Sequence, residues 1–320
     1  GSAVAQTLAD NGHTVSAWHY KSNIVDAMQK DRHHAKLKNL VFNNNISFDS
    51  NIESCLLNPK LVVIAVPSHA IRELMNISSK YFTSETIIIN LSKGLENNTL
   101  KRMSEVILET TDVDYDRIVS LYGPSHAEEV ILGYPTTLVA ASSNERSSKM
   151  IQDIFSANIL RVYSNKDIKG VELGGSLKNV IAIAAGICDG IGFGDNTKAA
   201  LLTRGMAEIT RLGVEMGAKE STFSGLSGIG DLIATCLSKH SRNRYVGEEI
   251  GKGKRLSSIL DHMDMVAEGV KTTHSVYDLS KEYNLDMPIS EGVNNILFND
   301  KNPKSIVSEL MNRDLVNENI

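Results

Sequence analysis

Lys178 lies in the middle of GVELGGSLKNVIAIAAG, residues 170–186, a segment otherwise made almost wholly of apolar and small residues. Val171, Leu173, Leu177, Val180, Ile181, Ile183, Ala184 and Ile187 fall on every side of a helix with about 3.6 residues per turn, so the spacing predicts a helix buried all round. An ammonium group carried inside it is desolvated, which lowers its pKa toward the range where an amine serves as general acid and base. Gly174 and Gly175, one turn earlier, let another backbone or a ligand come close. The plainer alternative is a lysine that reaches the surface or rests in an ion pair.

Four further segments carry groups able to hold a polar ligand. NLSKGLE sets Lys93 directly after an apolar run, where its ammonium reaches a sheet edge; an exposed loop lysine is the bland reading. GPSHAEE, residues 123–129, puts Gly123 and Ser125 between a strand and a helix N-terminus, whose free amides attract anions, although the segment alone is an ordinary turn. SGLSGIGDLIATC, residues 224–236, is a glycine-rich turn that ends in Asp231, a carboxylate that could equally be a simple helix cap. SRNRYVG offers Ser241, Arg242 and Asn243 beside a helix start, a phosphate clamp or a surface arginine cluster.

The elements that must position these groups divide the chain in two. Short β-branched runs at 13–18, 61–66, 86–91, 117–122, 136–141 and 160–164 alternate with helical periods, the pattern of a parallel sheet with helices on its faces. Long helical periods then dominate at 167–189, 197–216, 245–260, 272–283 and 303–316. The expected organisation is an α/β dinucleotide-binding domain over 1–164 and an all-α substrate-binding domain over 165–320, with the site in the cleft between them. At 320 residues both halves can bury a core, and a net charge of -5 argues against a nucleic-acid or membrane surface, so an anionic substrate must be held by local cations. The scattered Cys55, Cys188 and Cys236 read as reduced thiols of a cytoplasmic protein, and His33 and His34 lack metal-ligand spacing. No apolar run suggests a membrane span.

The chain opens GSAVAQTLADNGHTVSAW, a helix, a turn and a strand, which is the second part of a βαβ nucleotide-binding unit. The first strand and the phosphate loop are expected upstream, with Gly1 as the third glycine of GxGxxG or, alternatively, as an added residue. Where a strictly NAD-dependent enzyme carries Asp or Glu, this chain reads Trp18, His19, Tyr20 and Lys21, groups that tolerate a ribose 2′-phosphate.

Taken in order, NLSKGLE, GPSHAEE, ELGGSLKNVIAIAAGICDGIGFGDN, GLSGIGDL, SRNR and VAEGVKT closely resemble the bacterial-type NAD(P)-dependent glycerol-3-phosphate dehydrogenases, over essentially the whole chain. The resemblance implies a Rossmann-like first half, an NAD(P)H cofactor, and interconversion of dihydroxyacetone phosphate and sn-glycerol 3-phosphate for glycerophospholipid synthesis. It implies Lys178 as the proton-transfer residue, and Lys93, Gly123, Ser125, Lys178, Asp231, Ser241, Arg242 and Asn243 around the substrate. Gly1, Tyr20, Lys93, Ala127, Arg242, Val266 and Glu268 match cofactor positions, although Tyr20 stands where relatives often have Arg or His. A homodimer is likewise implied. Two rivals stay open: a related two-domain dehydrogenase for another hydroxy acid or sugar phosphate, and a non-catalytic dinucleotide-binding or dimerisation module.

Overall fold

The computed structural model describes residues 1–263, 266–315 and 317–318. The first half begins with α1 (Ser2–Asp10), β1 (Val15–Trp18), α2 (Ser22–Asp31), β2 (Ile46–Asp49) and α3 (Ile52–Cys55). It continues through β3 (Leu61–Ile64), α4 (Ile71–Ser78), β4 (Ile87–Asn90), α5 (Met103–Thr110), β5 (Ile118–Tyr122), α6 (Ala127–Val130), β6 (Thr136–Ala141), α7 (Glu145–Phe155) and β7 (Leu160–Asn165). Every run read as a strand forms one, and β2 is additional.

The continuous apolar character of β4 and β5 follows from burial on both faces. Ile88, Ile118 and Tyr122 face Ile71, Met75, Met103 and Ile107 of α4 and α5. On the opposite face Ile87, Ile89, Val119 and Leu121 meet Leu8 of α1 and Ile151 and Phe155 of α7. The sheet runs in the order β3-β4-β5-β6-β7. Its first three strands are parallel, so Ile64, Asn90 and Ser120 come into register near one edge. The expectation of a parallel sheet fails at β6, which runs antiparallel to β5. Only the four-residue α6 separates these strands, too little helix to cross the sheet, so the chain turns back. β1 and β2 pair in parallel as a separate ribbon. α1 spans both sheets, with Leu8 beside the larger one and Ala9 beside Ile46 of the ribbon.

The second half consists of α8 (Ile168–Ile191), α9 (Asp195–Glu215), α10 (Glu220–Phe223), α11 (Asp231–Leu237), α12 (Arg242–Gly251), α13 (Leu256–Asp261), α14 (Glu268–Glu282), α15 (Pro288–Phe298) and α16 (Pro303–Met311). α8 is its axis. The side chain of Asp167 caps it, accepting from the Gly170 amide at 3.0 Å, and Gly192 at φ 92° ends it. By length and hydropathy α8 could cross a membrane, yet its apolar stretch is wholly buried by the surrounding helices. The segment expected as one helix over 245–260 is two, broken at Gly253 (φ 93°). The helix expected from 272 starts at Glu268. α15 was not anticipated; Pro288 at its first turn, with Glu208 accepting from the amides of Ile289 and Ser290, fixes its start. The last helix stops at Met311 rather than 316, and Val316 lies outside the described residues.

Two contacts set α8 relative to its neighbours. Near its start, buried Glu172 accepts from the amide and hydroxyl of Ser104 at 2.9 and 2.6 Å, from Ser120 Oγ at 2.9 Å and from Arg102 at 2.8 Å, tying the helix to α5 and β5. Near its end, α8 and α12 touch backbone to backbone. A Cβ on Gly186 would lie 1.9 Å from the Arg244 carbonyl, and one on Gly247 would lie 1.9 Å from the Ile183 carbonyl. Side chains at either position would force the helices apart.

Candidate active site

This close crossing brings the start of α12 alongside the middle of α8. Asn243 donates to Asn179 Oδ1 at 2.9 Å, one residue past Lys178, and accepts from the Gly269 amide at 2.9 Å. Ser241 caps α12 by accepting from the Arg244 amide at 3.2 Å. Arg242, exposed beside them, donates to the Val266 carbonyl at 2.7 Å.

Lys178 is only 4% exposed. Its ammonium donates to Asp231 Oδ1 at 2.5 Å and also to the hydroxyl of Thr235. The glycine-rich turn Leu226–Gly230 delivers Asp231 to the first position of α11, and Thr235 lies one turn on, so both face Lys178. The second Asp231 oxygen accepts from Lys93 at 2.7 Å. Lys93, from the loop after β4, also donates to the Gly123 carbonyl at 2.9 Å and lies over the Tyr122 ring, 5.6 Å from its centroid. One buried carboxylate therefore joins a cation from each half of the protein. The plain ion-pair alternative for Lys178 is realised in part, but inside the molecule and shared.

The electrostatics follow from burial. Desolvation pulls Lys178 down from 10.5 to about 8; Asp231 opposes this and the charge of Lys93 adds to it. Burial would raise the Asp231 carboxyl, but the two ammonium groups outweigh it and hold it below the usual carboxylate value. The pair is thus poised so that a proton on Lys178 is exchangeable near neutral pH.

The ends of the parallel strands open on the same side. Ser68, beyond β3, gives its amide and hydroxyl to Glu268 at 3.0 and 2.6 Å, bridging the halves. Gly94 packs so closely on Ser68 that a Cβ there would lie 2.8 Å from its hydroxyl oxygen. At the end of β1, His19 stacks on exposed Tyr20 at 4.9 Å, with the Lys21 ammonium 5.4 Å from the Tyr20 centroid. The N-terminus of α1 has no side-chain cap and no acid in its first turn, and Gly1 packs beside Ala65. Free amides, small residues and the absence of a carboxylate on the β1 end fit a dinucleotide carrying anionic phosphates.

The structure therefore brings Lys178, Asp231, Lys93 and Gly123 into direct contact, with Ser241, Arg242 and Asn243 alongside through Asn179. Ser125 is an exposed turn residue that donates to the Gly123 carbonyl, and Ala127 opens α6. Gly1 stands at the start of α1 and Tyr20 just past the end of β1, while Val266 accepts from Arg242 and Glu268, at the start of α14, is bonded to Ser68 of the sheet half. Sequence reasoning missed Thr235, whose i+4 spacing from Asp231 was its only signal, and Asn179, the neighbour of Lys178.

A sheet whose strand ends suit a dinucleotide, joined to a helical half holding a buried lysine of lowered proton affinity, defines a two-domain nicotinamide-dependent dehydrogenase. Comparison with known proteins narrows the class. Residues 1–148 match the NAD-dependent glycerol-3-phosphate dehydrogenase N-terminus and residues 167–308 its C-terminus. The glycerol-3-phosphate dehydrogenase [NAD(P)+] of Oceanobacillus iheyensis is 48% identical over 313 residues, covering 98% of this chain and 91% of that protein. The enzyme of the same name from Prosthecochloris aestuarii is 49% identical, covering 98% and 95%. A crystal structure of glycerol-3-phosphate dehydrogenase from Coxiella burnetii superimposes with a TM-score of 0.92 at 35% identity, covering 98% of this chain and 97% of that one. The chain belongs to the NAD-dependent glycerol-3-phosphate dehydrogenase family.

Proposed function

We propose that this protein interconverts dihydroxyacetone phosphate and sn-glycerol 3-phosphate, with NAD(P)H as cofactor. The observation that carries the reading is the Lys178–Asp231–Lys93 chain, a buried proton donor held between two halves at the mouth of a dinucleotide-type sheet. When bound, the cofactor supplies or accepts the hydride at C2.

In the reducing direction Lys178 gives its proton to the oxygen at C2, and in the oxidising direction it removes that proton. Lys93 stabilises negative charge on the same oxygens, and Asp231 keeps both ammonium groups aimed. Arg242 engages the substrate phosphate through charge-assisted hydrogen bonds, with Ser241, Asn243, Gly123 and Ser125 completing the enclosure. Gly1, Tyr20, Lys93, Ala127, Arg242, Val266 and Glu268 would hold the dinucleotide, and the cationic end of β1 suits NADPH as well as NADH. The division of labour falls between residues 164 and 165, at the end of β7 and three residues ahead of α8. The family resemblance further supports a cytoplasmic homodimer that feeds glycerophospholipid synthesis.

The test is oxidation of NADH and of NADPH by the purified protein with dihydroxyacetone phosphate, alongside Lys178→Arg, which keeps the charge but cannot exchange a proton near neutrality. Turnover that falls by about 10²–10⁴ in the variant, with circular dichroism unchanged, supports the reading. A folded wild-type protein that oxidises neither cofactor overturns the substrate assignment, and equal turnover in the variant overturns the role of Lys178.

A further inference from the structure

Tyr122, the last residue of β5, is fully buried although it carries a hydroxyl. A buried phenol needs hydrogen-bond partners, and here they lie in the segment that leads into Lys93. The Tyr122 hydroxyl donates to the Ser92 carbonyl and accepts from the Asn90 side-chain amide at 2.9 Å. The same amide donates to the Ser92 carbonyl at 3.2 Å, and Asn90 Oδ1 accepts from the Ser92 amide at 3.0 Å. Ser92 Oγ completes the set by donating to the Val66 carbonyl at 2.5 Å. The Ser92 carbonyl belongs to the peptide bond that enters Lys93, so the phenol holds the backbone from which that lysine springs.

The ring of Tyr122 meets the other end of the same side chain. The Lys93 ammonium lies 5.6 Å from the ring centroid, within the range at which an aromatic face attracts a cation, and donates to the carbonyl of the next residue, Gly123, at 2.9 Å. The ring is also wedged against α8. A Cβ on Gly175 would lie 2.5 Å from Tyr122 Cδ2, and Gly175 stands three residues before Lys178 on that helix.

We infer that Tyr122 is a positioning residue for the proton-transfer centre: its hydroxyl fixes the backbone of Lys93 and its ring supports the ammonium, so that Lys93 meets the second oxygen of Asp231. This inference rests on the dehydrogenase reading above. Its consequence reaches Lys178, because Lys93 holds one Asp231 oxygen at 2.7 Å while Lys178 uses the other at 2.5 Å. The charge of Lys93 lowers the proton affinity of Lys178, whereas Asp231 raises it. A Lys93 that drifts from Asp231 therefore leaves Lys178 more basic. The other titratable groups near Lys178 stay uncharged around pH 8: Cys236 on α11 is pushed up to about 12, and His126 before α6 lies below 6.5. Burial pushes the Tyr122 phenol up, so it remains a hydroxyl donor throughout.

Three variants separate positioning from packing. Tyr122→Phe keeps the ring and removes the bonds to Ser92 and Asn90, Tyr122→Leu removes the ring face as well, and Lys93→Met removes the charge itself and so marks the full effect on Lys178. The expected result is a fall of about three- to tenfold in kcat for dihydroxyacetone phosphate reduction in Tyr122→Phe, with circular dichroism unchanged, and a larger fall in Tyr122→Leu. The midpoint of the alkaline decline, about 8 in the wild-type protein, rises by about 0.3–1 pH unit in Tyr122→Phe, toward its value in Lys93→Met. A residue that merely supports the fold changes the amount of active protein and leaves that midpoint where it was. Independently of turnover, the Lys178 side chain titrated by ¹³C NMR at Cε shows the same rise.

Wild-type kcat in Tyr122→Phe, or a fall with the midpoint unmoved, overturns the inference while leaving the dehydrogenase reading intact. A Lys178 titration that is the same in Lys93→Met as in the wild-type protein overturns it too. If the folded wild-type protein shows no turnover, the dehydrogenase reading fails instead. The NMR titration then decides whether Tyr122 positions Lys93, and an unchanged Lys178 pKa in Tyr122→Phe rejects it.

Discussion

Replacing Asp231 by Asn keeps the shape of the site and removes the charge that Lys178 and Lys93 share at 2.5 and 2.7 Å. Breaking a buried ion pair from one side costs about 3–5 kcal/mol. Divided evenly between the two lysines this is about 2 kcal/mol each, or about 1.5 pKa units at about 1.4 kcal/mol per unit. Lys178, at about 8 in the intact site, would then titrate near about 6.5. At pH 7.5 its protonated fraction drops from about three-quarters to about one-tenth, an eightfold or so loss of the acid needed for reduction. Lost aim adds to this, since a hydrogen bond to a charged group contributes about 1.5–3 kcal/mol. The assay is the pH dependence of kcat for dihydroxyacetone phosphate reduction, followed by absorbance of the reduced cofactor. In the wild-type protein reduction declines as pH rises through about 8, where Lys178 loses its proton, and oxidation of sn-glycerol 3-phosphate rises over the same interval. In Asp231→Asn both midpoints move to lower pH and the plateau falls at least about tenfold. An unshifted midpoint would refute the reasoning, because the carboxylate would not then be what sets the proton affinity of Lys178.

Removing the guanidinium in Arg242→Ala should raise KM for the phosphorylated substrate by about 10- to 100-fold with a smaller effect on kcat, and steady-state kinetics will show whether the loss lies in KM. Gly247→Ala drives a methyl group to within 1.9 Å of a carbonyl that cannot retreat and should cost about 3 kcal/mol or more, whereas Gly253→Ala, with open space but φ of 93°, should cost about 1 kcal/mol; thermal midpoints of the two variants test the ranking. Glu208→Ala strips the cap from α15 and leaves the amides of Ile289 and Ser290 without an acceptor, a loss of about 2 kcal/mol readable by denaturant titration.

The sheet half was legible because β4 and β5 are buried on both faces and their sequences are uninterrupted apolar runs. α8 and Lys178 were legible for the complementary reason, a lysine in the middle of a helix made almost wholly of apolar and small residues. β2 escaped notice because only Ile46 of its four residues is buried, so it carries little periodic signal. The reversal at β6 depends on how much helix fits between two strands, which composition does not reveal. In the site, Lys178 and Asp231 are 53 residues apart and Lys93 and Asp231 are 138 apart, and no spacing rule joins them. Each was visible as a type, and the family resemblance grouped them, but the sharing of one carboxylate is a property of the folded chain.

Glu172 anchors α8 to the sheet half, and the glycine crossing anchors the same helix to α12, with Lys178 between these two moorings. Lys178 lies six residues past Glu172 and eight before Gly186, so its place is set from both ends of the shaft at once. The proton-transfer group is thus surveyed in from two fixed points of the backbone, and the loop that brings Lys93 only has to meet it there.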